Sequence, residues 1–599
     1  MCDRIAAVEV VGKFCARLLI CLIAASCQFA AEAPRNAAPG VRYVGSKVCA
    51  GCHRGIYDEY MRTPMGRSLT PLPGKVEPQH ASIRPVRIAS ATPNRFYEVE
   101  SGESGLYQSD VVVDAQGKEI YRKKYKLEYV LGSGLNGSGY LVKRGSYLCE
   151  APLSYYTQHR GWGLSPGYEH DDSGFTRPIQ AGCIFCHSGR PQPVSNRPGL
   201  FQSRPFQEEA IGCENCHGPG ELHVFERGKG AATSKDTVAA SKDGDPLIVN
   251  PARLPARLAE DICMNCHQGG DGRALMPGKN YADFRPGTAL AETYGLFKVP
   301  VKPETSPESD TLEHHFAMKF SKCFMASGGK LSCMSCHDPH KLPRDNQKTA
   351  YYREKCLACH RDQDCTITLA VRLERNQDDC AGCHMMKRDL TTFSHSALTN
   401  HRIIRKPGEP YPESAYQLTT ADLPDLVYVN RPEGAVPRVP AVTLLSVYES
   451  LAPADLHYRE RFLGLLLHLL NEGKISDPSV LETLAHEAQR EATPEGDSIA
   501  TRYFAKAIQA GPADWTAFVG LGDMLLRAGR AREAGEVLEK GIAEFPFQPG
   551  CYRLLLDAYT ALHQQTRFDE TARKYLDLFP ADGSVRARQQ SGLTRPPAP

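Results

Sequence analysis

Hydrophobic and polar positions change rhythm along this chain. Between about residues 84 and 160, the segments Phe96–Glu100, Leu106–Val113, Glu119–Leu131 and Tyr140–Ala151 are rich in Val, Tyr and Leu. Glycine-rich turns separate them, including Gly132-Ser133-Gly134 and Gly137-Ser138-Gly139. β-branched and aromatic runs bounded by turn residues predict a small antiparallel β insert. Residues 228–257, rich in Gly, Ala, Ser, Lys and Pro, predict a loop, and the seven prolines of 406–440 predict a linker or an extended wrap. From 441 onward the texture is helical. Pro512, Pro546 and Pro580 recur at intervals of 34, as do Ala500 and Ala534, Phe504 and Leu538, Phe518 and Tyr552, and Leu521 and Leu555. A fixed period of that length predicts stacked helix pairs.

The N-terminus reads differently. Arg4, Lys13 and Arg17 precede an apolar run from Leu18 to Ala31, and small residues follow. This predicts a secretory signal over 1–33; a lipoprotein signal ending at Cys27 is the alternative. No other stretch approaches the ~18 apolar residues of a spanning helix. The expected domain plan is 1–33 signal, 34–405 a cysteine-rich domain holding the insert, 406–440 linker, and 441–599 helical repeats.

Charge adds one exclusion. Lys and Arg number 71 against 69 Asp and Glu, a balance that rules out a bulk electrostatic nucleic-acid binder. Apolar residues make up 41% and mean hydropathy is −0.39, as for a folded, water-facing chain.

Cysteine, with 22 copies, changes the picture. Fourteen fall in one pentapeptide, Cys-x-x-Cys-His, which occurs seven times: Cys49, Cys52, His53; Cys183, Cys186, His187; Cys213, Cys216, His217; Cys263, Cys266, His267; Cys333, Cys336, His337; Cys356, Cys359, His360; and Cys380, Cys383, His384. Two thiols one helical turn apart can add to the two vinyl groups of one porphyrin, and the histidine that follows is then delivered to the iron. Zinc sites combine two Cys pairs and do not require that histidine in every copy. Disulfides within each pair would leave seven adjacent histidines unexplained. The pattern therefore predicts seven covalently bound haem c groups. That is little protein per porphyrin, so the cofactors themselves are expected to form much of an irregular core. The expected fold class is mainly α, with a haem-packed core, the small β insert and a C-terminal α–α repeat domain.

Each iron needs a second axial group or an open position. Candidates outside the pentapeptides are His80, His159, His170, His223, His314, His315, His340, His395 and His401. His223 follows a Gly-Pro-Gly turn that can return it to a haem face. His340 lies three after His337 and can reach a neighbouring iron. His395 and His401 follow the last pentapeptide. Of the pair His314 and His315 only one is needed, and His315 is taken. Cys149, Cys323, Cys365 and Cys551 remain as buried thiols or two disulfides.

The run Tyr43-Val44-Gly45-Ser46-Lys47-Val48-Cys49-Ala50-Gly51-Cys52-His53, the stretch Cys213–His223 and the run Leu331–His340 resemble exported bacterial multihaem c-type cytochromes. More narrowly, they are similar to the nitrifier tetrahaem cytochrome and hydroxylamine-oxidoreductase group. Residues 480–582 resemble tetratricopeptide repeats, with Phe518, Leu521, Gly522, Leu525, Gly529, Ala534, Leu538 and Pro546 fitting the pattern. The resemblance implies a periplasmic electron carrier whose repeats dock a redox partner protein, with membrane association only through a lipid or a partner. Two alternatives stand beside it: an oxidoreductase acting on a small nitrogen or sulfur compound at a five-coordinate haem, and a repeat scaffold with structural haems. The related pentahaem nitrite reductases replace the proximal histidine of the active haem by lysine, whereas all seven pentapeptides here end in histidine.

Overall fold

The computed structural model describes residues 34–72, 86–102, 104–157, 159–229, 245–304, 313–387, 399–432, 438–473, 476–511 and 514–592. The expected signal at 1–33 and the candidates His80 and His395 lie outside them.

The β insert is a nine-stranded antiparallel sheet, so the small insert expected from the sequence is corrected. Its strands are β1 (Leu69–Pro71), β2 (Val86–Ala89), β3 (Arg95–Gly102), β4 (Gly105–Val113), β5 (Glu119–Leu131), β6 (Gly137–Arg144), β7 (Tyr147–Glu150), β8 (Leu153–Tyr156) and β9 (Gly161–Leu164). The order is β2-β3-β4-β5-β6-β8-β9, with β1 on β5 and β7 on β6. Strands β3 to β6 are the four that apolar patterning reveals. Strands β1, β8 and β9 have only three or four residues, too short for alternation to register. Pairing recruits them. The long β5 serves three neighbours: its first half pairs with β4, and its last residues pair with β6, across a bulge between Leu127 and Tyr129, and with β1. Tyr97, Val99, Leu106, Tyr125, Leu127, Tyr140 and Leu153 point into one core.

Two smaller sheets follow. Strands β10 (Pro191–Pro193) and β11 (Phe201–Phe206) pair with each other. Strands β12 (Gly272–Leu275), β13 (Tyr294–Lys298) and β14 (Val427–Tyr428) form the third sheet. The proline-rich stretch after 406 contributes β14 and buries Tyr411, Ala415, Leu423 and Leu426, so it lies along the body as a wrap. The architecture is therefore mixed α and β rather than mainly α.

The C-terminal helices stack in pairs. Trp515–Arg527 with Ala531–Glu544 repeats 34 residues later as Pro549–Ala561 with Gln565–Leu578, the period seen in the sequence. Helices Pro478–Arg490 and Pro494–Ala510 precede them, and Gly583–Ser591 caps the stack. Phe504, Phe518, Leu538, Leu555 and Phe568 fill one continuous core.

This array is fastened to the body at both ends. Helices Ala441–Leu451 and Leu456–Asn471 share a core with the third sheet. The approach is closest at Gly272, where a Cβ would lie 2.9 Å from Val447. At the far end Phe547 enters the core of the nine-stranded sheet and meets Tyr147 edge-on at 5.1 Å. Lys123 pairs with Asp577 at 2.6 Å, and Arg197 with Glu544 at 3.6 Å. Among the described residues, no helix is long and apolar enough to cross a membrane.

Candidate metal centres

Six of the seven pentapeptides close a helical turn from the first cysteine to the histidine. The N–H of His53 donates to the carbonyl of Cys49 at 2.9 Å, that of His217 to Cys213 at 3.0 Å, that of His337 to Cys333 at 3.0 Å and that of His360 to Cys356 at 2.9 Å. His267 ends the helix Ala256–His267, and His384 ends Cys380–His384. At Cys183 the turn is tighter, with the His187 N–H donating to Ile184 at 3.0 Å. In a helical turn, residues three apart share a face, so both thiols of a pentapeptide present together with the imidazole beside them.

Second imidazoles face these histidines. Ring centroids are 6.3 Å apart for His53 and His223, and the planes lie within 20°. They are 5.8 Å apart for His217 and His340, 6.2 Å for His337 and His401 and 5.4 Å for His267 and His314. A metal sits ~2.0 Å from an imidazole nitrogen, which places the centroids of two opposed rings about 6 Å apart. The donor set thus fits an iron held between two imidazoles at these four positions.

Hydrogen bonding selects the nitrogen that faces inward. A carbonyl oxygen can only accept, so an Nδ1 beside one carries the hydrogen and leaves the lone pair on Nε2. His217 Nδ1 donates to the Val249 carbonyl at 2.8 Å and His384 Nδ1 to Ile404 at 2.8 Å. Among the second imidazoles, His401 Nδ1 donates to Thr399 at 2.9 Å and His314 Nδ1 to His267 at 3.2 Å. His223 Nδ1 faces the Asp245 carboxylate at 2.9 Å. At five of the histidines burial favours the neutral form that a metal ligand must have. It lowers His217, His267 and His337, and pushes His314 down to about 3 with help from His401 and His267. His401 goes to about 4, also chiefly through burial.

His315 does not join the set, which corrects its choice from the pair. It is buried, and its Nε2 is taken by Glu260 Oε2 at 2.7 Å. Helix His314–Lys319 turns His315 inward with Phe316 and Met318 and leaves His314 beside His267. His159 and His170 are exposed. The partners on Nδ1 could not be read from sequence, because Asp245, Val249 and Ile404 lie 20 to 32 residues from their histidines.

The pentapeptides touch one another. Cys49 lies within hydrogen-bonding reach of Cys213, Cys186 of Cys266, Cys263 of Cys333 and Cys356 of Cys380. His340, from the turn after Cys333–His337, faces His217. Cys336 also lies near Cys356 and Cys359, so all seven are linked, and the one at Cys333 lies at the centre. From it one arm runs through Cys213 to Cys49, a second through Cys263 to Cys183, and a third toward Cys356 and Cys380. Cys52, Cys183 and Cys383, one in each outermost pentapeptide, are exposed, as is Cys359 within the third arm.

Around the last three pentapeptides the protein supplies almost no core. Among described residues 322–387 only Asp378 is buried, while Met325, Leu342, Ile367, Leu369, Val371, Leu373 and Met386 are exposed. Apolar side chains without apolar cover suit a large flat apolar cofactor. Of the remaining cysteines, Cys149 and Cys551 are thiols in separate cores, each pushed up to about 12 chiefly by burial.

Residues 325–364 match the family described as the doubled CXXCH motif, and Cys333–His337 and Cys356–His360 both lie inside that span. A doubled motif of this kind marks a multihaem c-type cytochrome and indicates covalently bound haem c. No curated protein matches the chain. Among solved structures, the outer cell wall cytochrome OcwA is 15% identical over 84% of this chain and 99% of that one, with a TM-score of 0.32. TTC0263, a thermophilic TPR protein of Thermus thermophilus, is 17% identical over 25% of this chain and 89% of that one, with a TM-score of 0.20. The first TPR of Spaghetti (RPAP3) bound to an HSP90 peptide is 14% identical over 19% of this chain and 91% of that one, with a TM-score of 0.18. At these TM-scores the likenesses carry no functional weight.

Proposed function

We propose that the chain is an exported, periplasmic seven-haem cytochrome, related to the nitrifier tetrahaem and hydroxylamine-oxidoreductase group, that moves electrons between redox partner proteins. The observation that carries this reading is the set of four pentapeptide histidines, each faced by a second imidazole at metal-spanning distance. Bound haem supplies an iron that cycles between ferric and ferrous states. The protein does the rest. Each Cys pair would hold one porphyrin through thioether bonds, and the following histidine would hold its iron. Carbonyls on Nδ1 orient the rings, and the Asp245 carboxylate makes His223 the most electron-donating of them. With a second imidazole at each of these four sites, the protein would supply both ligands to the iron, which favours transfer over catalysis. The three arms end in exposed pentapeptides, suited to entry and exit of electrons. The domain plan carried forward is a leader over 1–33, a haem domain over 34–405 and a helical array from 441 that presents a docking face for a partner.

Expression with intact haem-maturation machinery tests this. Intact mass is expected to show seven haems, and paramagnetic resonance a predominantly low-spin ferric spectrum. His223→Ala and His340→Ala should each convert one low-spin haem to high spin. A colourless, iron-free product overturns the reading, and unchanged spectra in both variants overturn the pairing.

A further inference from the structure

We propose that Cys323 supplies the axial sulfur opposite His360, so that the pentapeptide Cys356–His360 holds its iron between an imidazole and a thiolate. The inference rests on the haem reading above and deepens it at one site. The atom of His360 that faces Cys323 is Nε2, the nitrogen that His217 and His384 leave for a metal, and it lies 3.9 Å from Sγ. A metal sits ~2.0 Å from an imidazole nitrogen and ~2.3 Å from a thiolate sulfur, a linear span of about 4.3 Å. The observed separation is roughly that span, with a few tenths of an ångström to open.

The sulfur is also held in place. Cys323 sits in the first turn of helix Lys322–Ala326, which Ser321 caps by accepting the Phe324 N–H at 3.1 Å. Ser321 is 1% exposed, and Lys322 pairs with Glu409 at 3.2 Å. Cys323 also lies near Cys336 and Cys359, the second cysteines of adjacent pentapeptides. Four other pentapeptide histidines face an imidazole; at His360 the facing group is sulfur. On coordination the thiol releases its proton to solvent, and the sulfur then donates more electron density to iron than an imidazole does.

The ferric protein as purified, with all its haems, is the test material. Magnetic circular dichroism is expected to show the near-infrared charge-transfer band of an imidazole–thiolate haem. Cys323→Ala should abolish that band and add one high-spin ferric haem. Cys323→His should also abolish it, keep the haem low-spin and raise the potential of that centre. Peptide mass across Cys356–His360 should show haem in all three proteins. A wild-type spectrum without a thiolate band, or an unchanged Cys323→Ala spectrum with haem still on that peptide, overturns the inference and leaves the seven-haem reading standing. Absence of haem from the wild-type peptide overturns both.

Discussion

A neutral imidazole gives a hydrogen from one nitrogen and offers a lone pair on the other, so a carbonyl placed at Nδ1 decides what Nε2 can do. That choice separates His314 from His315. Adjacent in sequence, one spends Nδ1 on a carbonyl and the other spends Nε2 on a carboxylate. The same logic of a side chain defined by its partners applies far away at Asp582, the cap of the last helix. Burial raises its pKa, but hydrogen bonds from the Ser584 and Tyr575 hydroxyls, the Val585 N–H and Arg553 outweigh that and hold it well below the usual carboxylate range. A depressed carboxylate stabilises the fold when ionised. Its contribution is present above about pH 4, the ordinary Asp value, and is lost as pH falls below it. Asp582→Ala should cost the array ~1–2 kcal/mol and flatten the acid limb of a urea-midpoint-versus-pH curve. An unaltered limb would refute this. The pentapeptides were legible because attachment chemistry is local, with Cys, Cys and His within one helical turn. The imidazoles that face them were legible as candidates only, since His223, His340 and His401 lie beside histidines of other pentapeptides. The phase of one short helix, invisible in a doubled histidine, turns His315 to Glu260 and leaves His314 beside His267.

Elements follow the same division between local and distant causes. Helix pairs at a spacing of 34 are written in the chain because each pair must bury the same face against the next. Small residues mark where helices meet. At Gly541 a Cβ would lie 2.8 Å from Phe518 Cβ and 3.1 Å from Cys551 Sγ, so Gly541→Val is expected to overpack the site. A loss of ~1–3 kcal/mol is expected, read as a lower urea midpoint for the helical signal; a midpoint equal to wild type would show that the helices can part there freely. The nine-stranded sheet was legible only in its four long strands. Strands of three or four residues owe their existence to a partner's edge rather than to their own pattern, and β14 comes from a stretch whose prolines predict extended chain but whose pairing with β13 depends on residues some 130 earlier.

At the scale of the molecule, the array is a clasp. Its first helices share a core with the third sheet, and Phe547 closes the other end on the nine-stranded one. Phe547→Ala removes a buried ring, a loss of ~3–5 kcal/mol by analogy with other cores. Calorimetry should then resolve the array as a separate, earlier transition; one unchanged cooperative transition would show that the two parts are not coupled there. Strands recruited by pairing, together with the wrap that supplies β14, also explain why the fold class expected from the sequence put too much weight on helices. Finally, the bond from Tyr147 to the Glu544 carbonyl joins residues 397 apart. Synthesis proceeds from the N-terminus, so the strands are finished long before the helices that fasten onto them exist. The seven pentapeptides all precede the helices that shut that latch, so the order in which the two parts meet is built into the path of the chain.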